Sequence, residues 1–200
     1  MKILVTGFEP FGNEKTNPSW EAVKLLPDLI NGSKVIKAKL PVVFDSCYKI
    51  IGDLIKNENP EAVLHIGQAG GRTCITPEFV AINQRNGIDN ADREYRDQKV
   101  IIDGPDAYFA TLPVRQMTDK LIESNIPAKI SYSAGTYVCN NLMYSSLHYI
   151  AIHKLNIPSG FIHIPYSAEQ AAAHNGKYAF MDIKTAASGI EKCISVIADC

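Results

Sequence analysis

The segment YSAGTYVCNN puts Cys139 directly behind Ala134-Gly135, small residues able to make a tight turn, and at the head of a stretch with helical spacing that runs to His153. A thiol at a helix N-terminus meets unpaired backbone N–H groups and the positive end of the helix dipole. These favour a thiolate below the free pKa of about 8.5 and offer donors to an oxyanion. The chemistry this suggests is nucleophilic attack on a carbonyl, which calls for an imidazole within reach. Of the five histidines, His65 sits inside an apolar run and reads as a core residue, while His174 lies in an Ala-rich polar segment without an evident partner. His148 is nine positions along the same helix as Cys139, about 13 Å up and half a turn round, and His153 is further still. His163, in GFIHIPYS, stands near the end of a strand-like run just before Pro165. A strand terminus there would face the same edge as Cys139, so His163 is the best base. To orient the imidazole, Glu78 in ITPEFVAIN is attractive, because an acid between Pro77 and an apolar run needs a partner. Pattern alone leaves Asp89 and Asp182 open.

The elements that must position these groups alternate along the chain. KILVTGF, SKVIKAKLPV, EAVLHIG, AKISYSA and SGFIHIPY read as strands, rich in Ile and Val. Between them, Phe44, Cys47, Tyr48, Ile51, Leu54 and Ile55 share one helical face, as do Ile183, Ala186, Ala187, Ile190, Ile194 and Ile197. Cys47 therefore belongs to a core stripe, and Cys193 flanks the other. The five cysteines form no CxxC pair and no regular framework, so neither a disulfide scaffold nor a zinc site is expected. The alternation over 200 residues predicts one α/β domain, residues 1–200, of three layers with a largely parallel, mixed sheet covered on both faces. The stretch 83–113 is turn-rich and charged. It reads as a long surface excursion, with 83–98 the most mobile part of the fold.

With 46% hydrophobic residues the chain can bury a substantial core. Twenty basic against twenty-one acidic side chains leave a net charge of -1, which argues against nucleic acid or an anionic membrane surface as partner. No apolar run approaches the roughly 18 residues that cross a bilayer, and MKILVTGF is too short for a signal-peptide core, so a cytoplasmic protein is expected. GQAGGRTC is glycine-rich, but no GK[ST] follows and no helix opens there, which makes a phosphate cradle a weak reading.

From GFEPFG and NPSWEAV through GQAGGRTCITPEFVAIN and SAGTYVCN to GFIHIPY, the whole chain resembles the pyroglutamyl peptidase I family of cysteine peptidases, which remove an N-terminal 5-oxoproline. Residue by residue, the resemblance implies Cys139 as nucleophile, His163 as base and Glu78 as the acid that orients it. It also implies a three-layer α/β fold, no cofactor or metal, N-terminally pyroglutamylated peptides as partners and a homo-oligomer, often a tetramer. Two departures stand out: Phe79 follows the signature glutamate where the family usually has Lys or Arg, and NGIDN lacks the arginine of the family's ARIPDN-like segment. Arg85 is the candidate substitute.

A flat, uncharged lactam wants aromatic or apolar plates and a few amide partners. Phe8 and Phe11 are placed to sandwich it, Tyr137 and Val138 to close the floor, and Asn17 and Gln68 to hydrogen-bond the lactam or hold the loop. The competing readings are a non-catalytic α/β small-molecule binding protein using the same pocket and a nucleoside-phosphorylase-like enzyme.

Overall fold

The computed structural model describes residues 1–200. In chain order the elements are β1 (Lys2–Phe8), α1 (Pro18–Leu25), β2 (Leu29–Ile30), β3 (Ser33–Leu40), α2 (Cys47–Glu58) and β4 (Ala62–Gln68). There follow the short strands β5 (Thr76–Glu78), β6 (Val80–Ile82), β7 (Arg85–Ile88), β8 (Glu94–Gln98) and β9 (Ala107–Phe109). Then come α3 (Val114–Glu123), α4 (Val138–Ile152), β10 (Ser159–Ile164), α5 (Ala168–Ala173) and α6 (Ile183–Ala198).

Six strands form one sheet in the order β2-β3-β1-β4-β10-β5. The four long strands are mutually parallel, and the outer β2 and β5 run antiparallel to their neighbours. Strand alternation sorts the side chains. Ile3, Val5, Leu64, Ile66, Ile162 and Ile164 face α1, α3 and α6, whereas Leu4, Phe8, Val63 and Phe161 face α2 and α4. Three layers result because a parallel sheet is apolar on both faces and needs helices over each. By the same alternation His65, Gly67 and His163 belong to the α2/α4 face. The reactive groups thus collect on one face, at the carboxyl ends of β1, β4 and β10, where open α/β sheets bind ligands. No helix is long and apolar enough to cross a membrane.

The segment AKISYSA is not a strand: Ala128 and Ser131 make only isolated parallel bridges to Ile75 and Glu78, beside β5. Its alternation is real, but β5 offers just three residues to pair with, so the ladder stops. The stretch 83–113 is a surface excursion, as expected, but it carries secondary structure of its own. β7 and β8 form a hairpin, and β9 pairs antiparallel with β6. The hairpin has the anchors its charged sequence hides: Tyr95 packs on Phe44, and Asp89, nearly fully buried, accepts from Phe44 N–H at 3.0 Å.

Candidate active site

Cys139 is the second residue of α4. The N-cap, Tyr137, makes no side-chain cap bond, so the first-turn N–H groups of Val138, Cys139 and Asn140 remain uncommitted. The sulfur lies against β4 at Gly67. A Cβ on that glycine would stand 3.0 Å from Cys139 Sγ and 2.6 Å from the Phe161 ring, so any larger residue would push the helix start off the sheet. His163 is the register partner of Gly67 across β4 and β10, on the same face, so the imidazole stands on the strand next to the one the sulfur packs against. β5 supplies the acid. Glu78 is opposite Phe161 in the antiparallel pair, and its Oε1 accepts from His163 Nδ1 at 2.6 Å, with both side chains buried. That bond fixes the tautomer and leaves Nε2 bare to take a proton.

Glu78 Oε1 is shared with Arg72, whose Nη1 lies 2.6 Å away and also meets Thr76, while its Nη2 donates to the Ser133 carbonyl at 3.3 Å. Within GQAGGRTC the glycines dominate the pattern and Arg72 does not stand out. The available signal was a cation six residues before the acid, the two flanking a tight connection. That loop leads into β5, not into a helix. Glu78 Oε2 is buried without a partner.

The electrostatics correct one expectation. Cys139 retains some exposed surface, but its thiol is densely surrounded, and burial pushes it up to about 12, with the nearby Glu78 charge acting in the same direction. Burial thus opposes the lowering that a helix terminus gives. His163 is also held below its ordinary value, first by burial, with its hydrogen bond to Glu78 opposing. Both shifts favour the neutral pair at rest, with the thiol losing its proton during attack.

A small cavity of about 30 Å³ opens beside the sulfur, lined by Phe8, Phe11, Asn17, Val42, Gln68, Tyr137, Val138 and Cys139. The structure gathers all six sequence-selected pocket residues there and adds Val42, which lies just beyond β3. Phe11 and Tyr137 face each other at 6.0 Å, and the Tyr137 hydroxyl donates to the Ile88 carbonyl at 2.8 Å, pinning the β7–β8 hairpin to the rim. Asn17 holds the loop: its Oδ1 accepts from Ser19 N–H and Oγ, and its Nδ2 donates to the Glu9 carbonyl. Size alone does not locate this site. The widest groove, between Met1, Pro60, Leu112 and Pro158 at the opposite strand ends, has no histidine among its lining residues.

The remaining candidates are used elsewhere. Asp89 braces the hairpin, Asp182 caps α6, and His148 Nδ1 meets the Tyr108 hydroxyl at 3.0 Å. His174, which lacks an evident partner in the sequence, pairs with Glu14 at 2.7 Å. His65 Nδ1 meets the Thr6 hydroxyl at 2.8 Å, and its Nε2 is buried and unpaired. Arg85 does not reach the thiol. It binds Asp45 at 2.8 Å and stacks over Tyr95 at 4.2 Å. Phe79 packs with Phe109 and Tyr132, both at 5.5 Å, in a partly exposed aromatic cluster.

Comparison with known proteins agrees along the whole length. The chain is 45% identical to the pyrrolidone-carboxylate peptidase of Lactobacillus helveticus, covering all of both chains. It is 47% identical to that of Thermococcus kodakarensis, over 98% of this chain and 96% of the relative. Among solved structures, a mutant pyrrolidone carboxyl peptidase from Pyrococcus furiosus superposes with a TM-score of 0.95 at 38% identity, covering 100% of this chain and 99% of that one. The pyroglutamyl peptidase I of Bacillus amyloliquefaciens gives 0.94 at 36% identity, over 98% and 94%. Since the sequence model described as "Pyroglutamyl peptidase" also matches residues 1–200 without a break, the chain belongs to the pyroglutamyl peptidase family.

Proposed function

We propose that this enzyme removes N-terminal pyroglutamate from peptides by a thiol mechanism in which Cys139 is the nucleophile, His163 the general base and acid, and Glu78 the group that orients and compensates the imidazole. The observation that carries the reading is Cys139 in the wall of an aromatic-lined cavity, its sulfur against Gly67, with the buried His163–Glu78 pair on the neighbouring strand opposite that glycine. The lactam ring lies between Phe8 and Phe11, with Tyr137 and Val138 beneath. As Cys139 Sγ attacks the carbonyl that joins the ring to the next residue, His163 Nε2 takes the thiol proton, so charge develops only when the carbonyl is in place. The oxyanion meets first-turn N–H groups of α4. The imidazolium, stabilised by Glu78, then protonates the leaving amine, and a water activated by the same nitrogen hydrolyses the thioester.

No acidic side chain lines the cavity, so an ordinary N-terminal ammonium would be buried unpaired, at a cost of several kcal/mol. The test is a kcat/KM panel. Pyroglutamyl anilide should be cleaved, while glutaminyl, glutamyl and prolyl anilides should be slower by about a thousandfold or more. Comparable rates on glutaminyl and pyroglutamyl anilides would refute the assignment. We also infer one cytoplasmic domain without a metal and, by family likeness, a homotetramer that needs no cofactor. Sedimentation and an unchanged rate in EDTA are the expected results, and a monomer or a zinc-restored activity would contradict them.

A further inference from the structure

The polarity of one amide in the cavity wall is set from outside the cavity. Gln170, on α5 and 3% exposed, accepts at Oε1 from Ser167 N–H at 3.1 Å, a backbone donor that cannot exchange roles. Its Nε2 is therefore turned towards the Thr16 carbonyl at 3.4 Å, a backbone acceptor equally fixed, and towards Gln68 at 3.1 Å. Gln68 has to present Oε1 to that N–H. Its own Nε2 makes no hydrogen bond within the protein, and the residue lines the cavity. Asn17, the other amide there, is committed at both ends.

We propose that Gln170 is a positioning residue that locks Gln68 as a hydrogen-bond donor towards the cavity, so that the site selects a ring bearing a carbonyl oxygen and disfavours a ring that offers only N–H. The proposal rests on the pyroglutamyl reading and deepens it: the lactam is recognised by the direction of one amide, and that direction is transmitted from α5 and the loop at Thr16. A primary amide can turn over at little steric cost, so without the relay Gln68 would present either end.

The test uses 2-pyrrolidone, the bare lactam, titrated calorimetrically into wild type, Gln170→Glu and Gln170→Met at about pH 5 and pH 9. A buried glutamic acid has a raised pKa, so at the lower pH its O–H can still donate to Gln68, whereas the carboxylate can only accept and turns Gln68 round. Glu14, Lys15, Glu21 and Glu169 line the cleft outside Gln170, and His174 pairs with Glu14. All are common to the three proteins, so affinity is read as the ratio to wild type at each pH. Gln170→Glu should bind nearly as wild type at the lower pH and about tenfold or more weaker at the higher, while Gln170→Met should be weakened at both. In turnover, the variants should raise KM for pyroglutamyl anilide with kcat within about threefold. Wild-type affinity in folded variants, or an equal loss at both pH values in Gln170→Glu, would overturn the relay. If Gln170→Met does not fold, the pH dependence of Gln170→Glu decides alone. Wild type that binds no lactam and cleaves no pyroglutamyl anilide would instead overturn the parent reading, and the relay with it.

Discussion

At the scale of single residues the account turns on where protons sit. With burial raising the Cys139 thiol and lowering His163 from its ordinary value of about 6.5, the reacting pair we propose is thiol plus neutral imidazole. Protonation of His163 is then the acid limb: kcat/KM should rise through a pKa below about 6.5 and stay level to about pH 9. A bell with a basic limb near pH 8 would mean that an imidazolium is required at rest, and that a thiolate–imidazolium pair replaces the neutral one. His163→Ala should cost nearly as much as loss of the thiol. Glu78→Gln should cost less, because the amide fills the space but cannot compensate the imidazolium. Arg72 belongs to this scale too. Arg72→Met would leave a fully buried carboxylate without its cationic partner while His163 is neutral, and should lower stability by about 2 kcal/mol and kcat about tenfold, with Arg72→Lys retaining part of each. Unchanged urea unfolding and turnover in Arg72→Met would show that the ion pair is incidental.

The site is assembled by elements that meet at strand ends, and the hairpin β7–β8 is the one whose role its sequence conceals. Charged, glycine-containing NQRNGIDNADREYRDQ reads as mobile, yet Asp89 accepts from Phe44, Ala91 and Arg93 N–H groups, and Asp45 gathers Arg85, Arg93 and the Tyr95 hydroxyl. Phe44 and Asp45 lie 40 to 50 residues upstream of the hairpin residues they hold, beyond the reach of periodicity. Asp89→Ala should therefore loosen the hairpin, speed hydrogen exchange in 85–98, and raise KM more than it lowers kcat, because the Tyr137–Ile88 clamp on the pocket rim depends on it. Exchange equally fast in wild type would mean that the hairpin is not held. By contrast, α4 and β10 were legible locally. Cys139 follows a small-residue turn, and His163 precedes Pro165 at the end of an Ile-rich run, so each lies at an element terminus where backbone chemistry is visible in the sequence. AKISYSA shows the converse, since alternation cannot reveal how short its neighbour strand will be.

For the molecule as a whole, three layers and the core stripes followed from alternation, because a doubly covered parallel sheet imposes strong local patterns. What did not follow was pairing between elements far apart in the chain: Gln170 with Gln68 and His174 with Glu14 are set by topology, not by spacing. The same burial has a global consequence. His65, wholly enclosed, is held down to about 3, so the unfolded chain takes up a proton near pH 6.5 that the folded chain refuses. Between those values stability should fall with decreasing pH by about 1.4 kcal/mol per unit on account of this one group, and His163, also lowered, adds in the same direction. His65→Gln should flatten the dependence of urea-unfolding free energy between about pH 5 and 7, and an unchanged slope would show that His65 protonates without unfolding. The central claim, that the thiol at the head of α4 performs the chemistry, is tested most directly by the rate of pyroglutamyl anilide hydrolysis in Cys139→Ala relative to wild type at equal concentration. The account predicts a fall of at least about ten-thousandfold, since no other group can form the thioester. Turnover within about tenfold of wild type would contradict it.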